Sequence, residues 1–80
     1  DIEAEVRQAF TNLKAVCEAA GGSLNHLAKV NVFLTNLDHF PVVNQVMDEL
    51  FEAPFPARAA IGVAALPKGA KVEVDGIMVG

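Results

Sequence analysis

A chain of 80 residues is long enough for one small domain, and its 52% hydrophobic residues exclude a disordered segment and predict a packed core. The net charge of −4, without a basic run, argues against a nucleic-acid-binding protein. A single cysteine excludes an internal disulfide, and the acidic start and short apolar stretches argue against a signal peptide or membrane span, so the sequence predicts a cytoplasmic protein.

The first predicted element is a helix over residues 2–20. Apolar residues recur there every three or four positions, which indicates one buried stripe. Gly21 ends the helix because glycine adopts the left-handed conformation without strain. The helical pattern begins at the first residue with nothing before it to supply an N-cap, so we expect the sequence to be truncated at its N-terminus. The stripe is predicted to contain Ile2, Val6, Ala9, Phe10, Leu13, Val16, Cys17 and Ala20.

A strand over residues 29–34 is predicted next, after a short turn that Ser23 caps. Its side chains alternate between the two faces of a sheet, with the apolar Val30, Val32 and Leu34 on one face and Lys29 and Asn31 on the other. Turn residues at 35–38 separate it from a second helix over residues 40–51. The buried stripe of that helix is predicted to contain Val43, Val46, Met47, Leu50 and Phe51.

The last part of the chain is predicted to be extended. Two prolines keep residues 53–56 out of a helix. Residues 57–63 and 71–79 are predicted strands, joined through a turn at 66–69 and paired as a hairpin. The order α-β-α-β-β predicts an α+β fold of two layers, with the helices on one face of a mixed sheet and residues 1–80 forming a single domain. One sheet face and an edge are left uncovered.

Arg58 is the first candidate for chemistry. It is one of two arginines, and it follows a rigid Pro-Phe-Pro segment at the start of an apolar strand. The planar guanidinium binds a carboxylate through two parallel hydrogen bonds and stays charged at any working pH. The structural alternative is a strand-end arginine that reaches to water or pairs with a nearby glutamate.

Glu73 and Asp75 lie two residues apart on the closing strand, so both carboxylates point to one side of the sheet. A carboxylate there could hold a water molecule and move protons, or it could belong to a solvated strand face. Asn44, on the polar side of the second helix, is a further candidate, although most such residues are solvated. His26 and His39 are predicted at the surface, and the spacing of these histidines and Cys17 does not suggest a metal site.

Three segments together resemble the C-terminal signature of the RidA (YjgF-like) family: residues 55–61 (FPARAAI), 66–69 (LPKG) and 72–74 (VEV). Upstream, residues 12–21 resemble the first helix of that family, 29–34 its central strand and 38–44 its second helix. The resemblance covers essentially the whole chain, in the same order and spacing.

The resemblance implies a chorismate-mutase-like fold, β-β-α-β-α-β-β, so two N-terminal strands are expected before Asp1. It also implies a homotrimer with active sites between subunits that hydrolyses 2-imino acids to 2-keto acids without a cofactor or metal. Arg58 matches the arginine that binds the substrate carboxylate, and Glu73 matches the acidic residue that positions water. Asn44 matches a helix asparagine that is either structural or supports the pocket, and it is a candidate for substrate binding together with Arg58.

The chain departs from the family pattern at several positions near these residues. Ala59 and Ala60 replace small polar residues, Gly62 replaces Glu or Gln, and residues 75–76 (DG) replace Glu-Ala. These departures bear on the range of substrates and on activity. Two rival functions therefore stay open: a non-catalytic trimer that binds or senses small ligands, and a ribonuclease or translation inhibitor, against which the acidic charge balance weighs.

Overall fold

The computed structural model, which describes residues 1–79, has two α-helices and three β-strands. The helices are α1 (Ile2–Ala19) and α2 (Phe40–Leu50). The strands are β1 (Leu27–Leu34), β2 (Ala57–Gly62) and β3 (Val72–Met78). Both helices, all three strands and the short turn capped by Ser23 were predicted from the sequence, with boundaries that differ by one or two residues.

Helix α1 begins and ends through local backbone chemistry. The carboxylate of Asp1 accepts hydrogen bonds from the N–H groups of Glu3 (2.8 Å) and Ala4 (3.3 Å). The expectation that no N-cap exists was therefore wrong, because Asp1 itself is the N-cap residue. Gly21, with φ of 87°, ends the helix as predicted.

The buried stripes of the two helices are narrower than predicted. Val16 is 65% exposed, because its side of α1 faces an open groove beside β3. Leu50 is 39% exposed at the last position of α2. There the backbone becomes extended and Phe51 enters the core instead, with its ring edge-on to Phe10 at a centroid distance of 6.0 Å. The buried helical residues are Val6, Phe10, Leu13, Cys17, Val43, Val46 and Met47.

The sheet has the order β2-β1-β3, so the predicted hairpin of the last two strands is wrong. β2 runs parallel to β1, and α2 supplies the crossover that a parallel pair requires. β3 runs antiparallel to β1 along its other edge. The apolar β1 therefore forms the centre of the sheet, and residues 63–71 carry the chain from one edge to the other instead of closing a tight turn.

The core lies between the two helices and one face of the sheet. Val30, Val32 and Leu34 of β1 are fully buried on this face, as their alternation predicted. Burial of each such side chain stabilises the fold by roughly 1.5–3 kcal/mol. The opposite face of the sheet is open within the described residues. The α+β fold with helices on one face of a mixed sheet is thus confirmed.

Neither helix within residues 1–79 combines the length and the apolar character that crossing a membrane requires.

Candidate active site

The side chain of Arg58 projects from β2 onto the helical side of the sheet. Arg58 is in register with Val30, whose side chain is buried there, so both point towards α2. The guanidinium carbon lies 5.0 Å from the ring centroid of Phe40. Nη1 lies 3.6 Å from Sδ of Met47. Two uncharged side chains of α2 therefore hold the guanidinium in place through a cation–π contact and a weak hydrogen bond.

The two arginines of the chain differ in their electrostatic partners. Arg7 donates to Glu49 (2.6 Å) and to Glu3 (3.1 Å), and these hydrogen bonds raise the pKa of its guanidinium. Within residues 1–79, Arg58 has no carboxylate within 4.0 Å. Its positive charge is therefore held in position without being neutralised, which leaves the guanidinium free to bind an anion.

An open pocket lies beside Arg58. It has a volume of about 340 Å³ and is lined by Met47, Asp48, Phe55, Pro56 and Arg58. Its size lies at the lower end of the range of small-molecule sites. Its wall combines the apolar Met47, Phe55 and Pro56 with two residues of opposite charge, Arg58 and Asp48. This arrangement suits a small molecule with a carboxylate at one end and a hydrocarbon portion at the other.

Asn44 lies on the same face of α2 as the two residues that hold Arg58, four positions after Phe40 and three before Met47. Asn44 is half-buried rather than solvated, and its Oδ1 is buried without a hydrogen-bond partner among residues 1–79. A buried amide oxygen normally has a partner, so a ligand or water would satisfy it. The structure thus brings Asn44 to the face that holds Arg58.

His39, which was predicted at the surface, is half-buried at the start of α2. Its Nδ1 is buried and has no hydrogen-bond partner within the described part of the chain. His26 is exposed as predicted, and its Nδ1 accepts a hydrogen bond from the N–H of Ser23. Phe40, the residue after His39, packs against the core, and this tertiary contact is not visible in the sequence pattern, which therefore did not separate the two histidines.

Glu73 and Asp75 lie on the open face of the sheet, as the alternation of β3 predicted. Asp75 accepts a hydrogen bond of 2.8 Å from Nδ2 of Asn31, its partner in register on β1. Glu73 is exposed opposite Phe33 and has no hydrogen bond to another side chain among residues 1–79. The Glu73 carboxylate is therefore open to solvent or to a partner.

Arg58 and Glu73 are not brought together within one chain. They lie on different outer strands, separated by β1, which places the two strands about 10 Å apart. Their side chains also point to opposite faces, because Arg58 is in register with Val30 and Glu73 with Phe33. One small molecule cannot contact both groups of the same chain.

Several residues of this arrangement were not found from the sequence. The role of Phe40 and Met47 in holding Arg58 was missed because it depends on how α2 packs against β2. Phe40 and Met47 are seven residues apart, with Asn44 between them, and this helical spacing is the one sequence signal that could have placed all three on one face of α2. Within residues 1–79, no group of three His, Cys, Asp or Glu side chains could hold a metal ion.

Comparison with known proteins gives the same family from sequence and from structure. The family model described as Endoribonuclease L-PSP matches residues 1–79. A 2-iminobutanoate/2-iminopropanoate deaminase of Dermatophagoides farinae is 53% identical over 78 residues, which are 98% of this chain and 61% of the relative. The crystal structure of RidA from an Antarctic Psychrobacter matches with a TM-score of 0.92 at 54% identity, over 95% of this chain and 62% of that one.

A further solved structure, Escherichia coli TdcF with bound serine, matches with a TM-score of 0.91 at 37% identity. The match covers 100% of this chain and 65% of TdcF. The chain therefore spans 61–65% of the length of these three proteins.

Proposed function

The chain belongs to the endoribonuclease L-PSP family, which includes RidA, and from that premise we propose that the protein hydrolyses reactive 2-imino acids to 2-keto acids and ammonia. The observation that carries the proposal is the guanidinium of Arg58, which is held in an open pocket without a carboxylate partner among residues 1–79. Relatives named 2-iminobutanoate/2-iminopropanoate deaminase, at 40–53% identity, support this choice of reaction.

In the proposed reaction, Arg58 binds the carboxylate of the imino acid through two hydrogen bonds and thereby fixes the position of C2. The hydrocarbon portion contacts the apolar wall formed by Met47, Phe55 and Pro56. Asn44 does not line this pocket, so in the proposal its buried Oδ1 accepts a hydrogen bond from an ordered water and supports the site indirectly. The serine bound by TdcF, a small molecule with an α-carboxylate, is a ligand of the same kind.

Glu73 acts as general base for the attacking water in this proposal. Water adds to C2 of the imine while the carboxylate of Glu73 accepts one of its protons and passes it to the nitrogen, which gives a carbinolamine. Glu73 then accepts the proton of the new hydroxyl group and transfers it to the nitrogen as the carbonyl forms and the C–N bond breaks, and the 2-keto acid and ammonia leave. No cofactor takes part, because each proton that the water gives up is returned to the leaving group.

The positions of the two groups favour an active site built between subunits. Arg58 and Glu73 of one chain lie on opposite faces of the sheet, so Arg58 of one chain would work with Glu73 of another. The open sheet face carries Phe33, Ile61 and Ile77, and the last two are 39% and 57% exposed. We propose a homotrimer in which these apolar side chains are covered by neighbouring subunits.

Arg58→Ala tests the proposed function. Turnover is measured in a coupled assay in which a dehydratase generates 2-iminobutanoate or 2-iminopropanoate. The assay uses the 80-residue chain and a family-length version in which the first two strands of a relative precede Asp1. We expect kcat/KM to fall by about 100- to 1000-fold, because the carboxylate loses a charge-assisted pair of hydrogen bonds.

The other arginine supplies the control. Arg7→Ala removes two exposed ion pairs without touching the pocket, so kcat/KM should stay within about twofold. Equal turnover in the wild type and in Arg58→Ala would contradict the proposed function. Activity in the family-length version alone would mean that the additional segment is needed to complete the site.

A non-catalytic ligand-binding trimer is the second candidate function. The residue that favours it is Ala60, which shares a sheet face with Arg58 and brings no polar atom where family members carry a small polar residue. This candidate predicts that pyruvate or 2-oxobutanoate binds in calorimetry while the coupled assay shows no ammonia release. A ribonuclease would instead require salt-dependent RNA binding, which we expect to be absent at a net charge of −4.

A further inference from the structure

The start of β3 is attached to α1 by one carboxylate. Oε2 of Glu5 accepts a hydrogen bond from the N–H of Lys71 (2.5 Å) and another from the N–H of Val72 (3.2 Å). The carbonyl of Lys71 accepts a hydrogen bond of 3.2 Å from the N–H of Thr35, which directly follows β1. The backbone immediately before Val72 is therefore held from two sides. We call the two hydrogen bonds to Glu5 the Glu5 clamp.

The clamp joins a fixed element to the beginning of a strand. Glu5 is half-buried in the first turn of α1, next to Val6, which is fully buried. The helix cannot shift along its axis without removing Val6 and Phe10 from the core. The position of the Glu5 carboxylate, and with it the start of β3, is therefore set by core packing.

The clamp ends one residue before Glu73. Val72 is buried against the helices, and Glu73, the next residue, points to the open face. A shift of one residue in the pairing of a strand moves every side chain to the other face. A contact that fixes Val72 therefore determines the face and the height at which the Glu73 carboxylate lies.

We propose that Glu5 is a positioning residue for the hydrolytic reaction, which acts by fixing the register and position of β3 so that Glu73 is aimed at the substrate. This inference rests on the proposed function, in which Glu73 accepts the proton of the attacking water. Glu5 itself contacts no substrate, because its carboxylate is occupied by two backbone N–H groups. Its effect should appear in kcat and not in the binding of the substrate carboxylate by Arg58.

The test compares Glu5→Ala and Glu5→Gln in the family-length protein. Glu5→Ala should lower kcat by about 10- to 100-fold, the order expected when a catalytic group is displaced by about 1 Å. KM should stay within about twofold, because Arg58 is untouched. Glu5→Gln keeps an oxygen that accepts both hydrogen bonds, so kcat should return to within about threefold of the wild type. Glu49→Ala, which removes another exposed carboxylate bound to α1, should leave kcat unchanged.

A purely structural role gives a different result. In that case kcat falls only as the folded fraction falls, so kcat per folded molecule is the same in Glu5→Ala as in the wild type, and the proposal is overturned. If Glu5→Ala does not fold, Glu5→Gln and the shorter Glu5→Asp decide the matter, and equal kcat values in both overturn the proposal.

Hydrogen exchange separates this inference from the proposed function. A wild-type protein without turnover overturns the proposed function alone. The amide of Val72 should still exchange faster in Glu5→Gln than in the wild type, and faster again in Glu5→Asp, because the acceptor is weaker or farther away. Unchanged exchange of Val72 in both variants would overturn the clamp itself.

Discussion

The two outer strands of the sheet are held in opposite ways. β3 is covered by α1, attached to it by Glu5, and linked to β1 by the side-chain hydrogen bond between Asn31 and Asp75. β2 has no buried residue, and its one charged side chain, Arg58, rests on the uncharged Phe40 and Met47. Among residues 1–79, the two buried side-chain polar atoms without a hydrogen-bond partner, Nδ1 of His39 and Oδ1 of Asn44, both belong to α2 and its N-cap residue. The carboxylate of Glu73 on β3 also has no side-chain partner, but it is exposed to solvent.

This difference supports the proposed position of the ligand. A polar group that already has its hydrogen-bond partners stabilises the fold, while a buried one without a partner costs free energy until something binds it. Within residues 1–79, the oxygen of Asn44 is in the second state, and the exposed guanidinium of Arg58 has no carboxylate within 4.0 Å. The β3 side fixes geometry, and the β2 side is available for binding.

The largest expected change in stability comes from a core residue that lies between the helices and the sheet. Phe10 is fully buried and packs edge-on against Phe51. Phe10→Ala should lower the free energy of unfolding by about 3–5 kcal/mol, most of the stability expected of so small a domain. Urea unfolding followed by circular dichroism measures this change. The control Val16→Ala, at a 65% exposed position of the same helix, should cost less than about 0.5 kcal/mol. Similar losses in both variants would contradict the observed core.

A smaller effect, on KM, is expected from a change on the β2 side. Phe40→Leu removes the ring on which the Arg58 guanidinium rests but keeps an apolar side chain of similar size. We expect KM for the imino acid to rise by about three- to tenfold, because the cation–π contact contributes on the order of 1 kcal/mol. The control Leu50→Ala, at the exposed end of the same helix, should leave KM unchanged. A change in kcat with constant KM would show that Phe40 does not act through substrate binding.

The smallest effect concerns the β3 side. Asp75→Ala breaks the hydrogen bond with Asn31 and should lower the free energy of unfolding by about 0.5–1 kcal/mol. Glu52→Ala is the matched control, because this exposed carboxylate has no hydrogen bond to another side chain among residues 1–79. Its unfolding free energy should not change measurably. If both variants lose the same stability, the hydrogen bond between Asn31 and Asp75 does not help to hold β3.

The sequence was sufficient for local structure and insufficient for strand pairing. Alternation along β1 correctly predicted Val30, Val32 and Leu34 as buried, because the period of a strand is fixed by its backbone. The hairpin was predicted from proximity along the chain, whereas the actual order depends on which strand both helices cover. The exposure of Val16 had the same cause, since helical periodicity cannot show that a flank faces a groove.

The candidate site residues could be predicted from the sequence, but the residues that hold them in place could not. Arg58, Glu73 and Asn44 were chosen from chemistry and family resemblance, and their roles remain predictions. That Arg58 rests on Phe40, and that Glu5 holds the strand of Glu73, are contacts between residues far apart in sequence. No local pattern encodes them.

The order β2-β1-β3 also determines how the sheet has to assemble during folding. The paired residues that lie nearest along the chain are those of β1 and β2, and each of these pairs, such as Lys29 and Ala57, is separated by 57 − 29 = 28 positions. Without a hairpin, no strand pair of the described residues can close by zipping from a short turn, so each pairing first has to overcome the entropy of closing a long loop. The helices, whose contacts are local, are the elements that can form before that closure. We therefore expect the sheet that carries both Arg58 and Glu73 to become ordered after the helices.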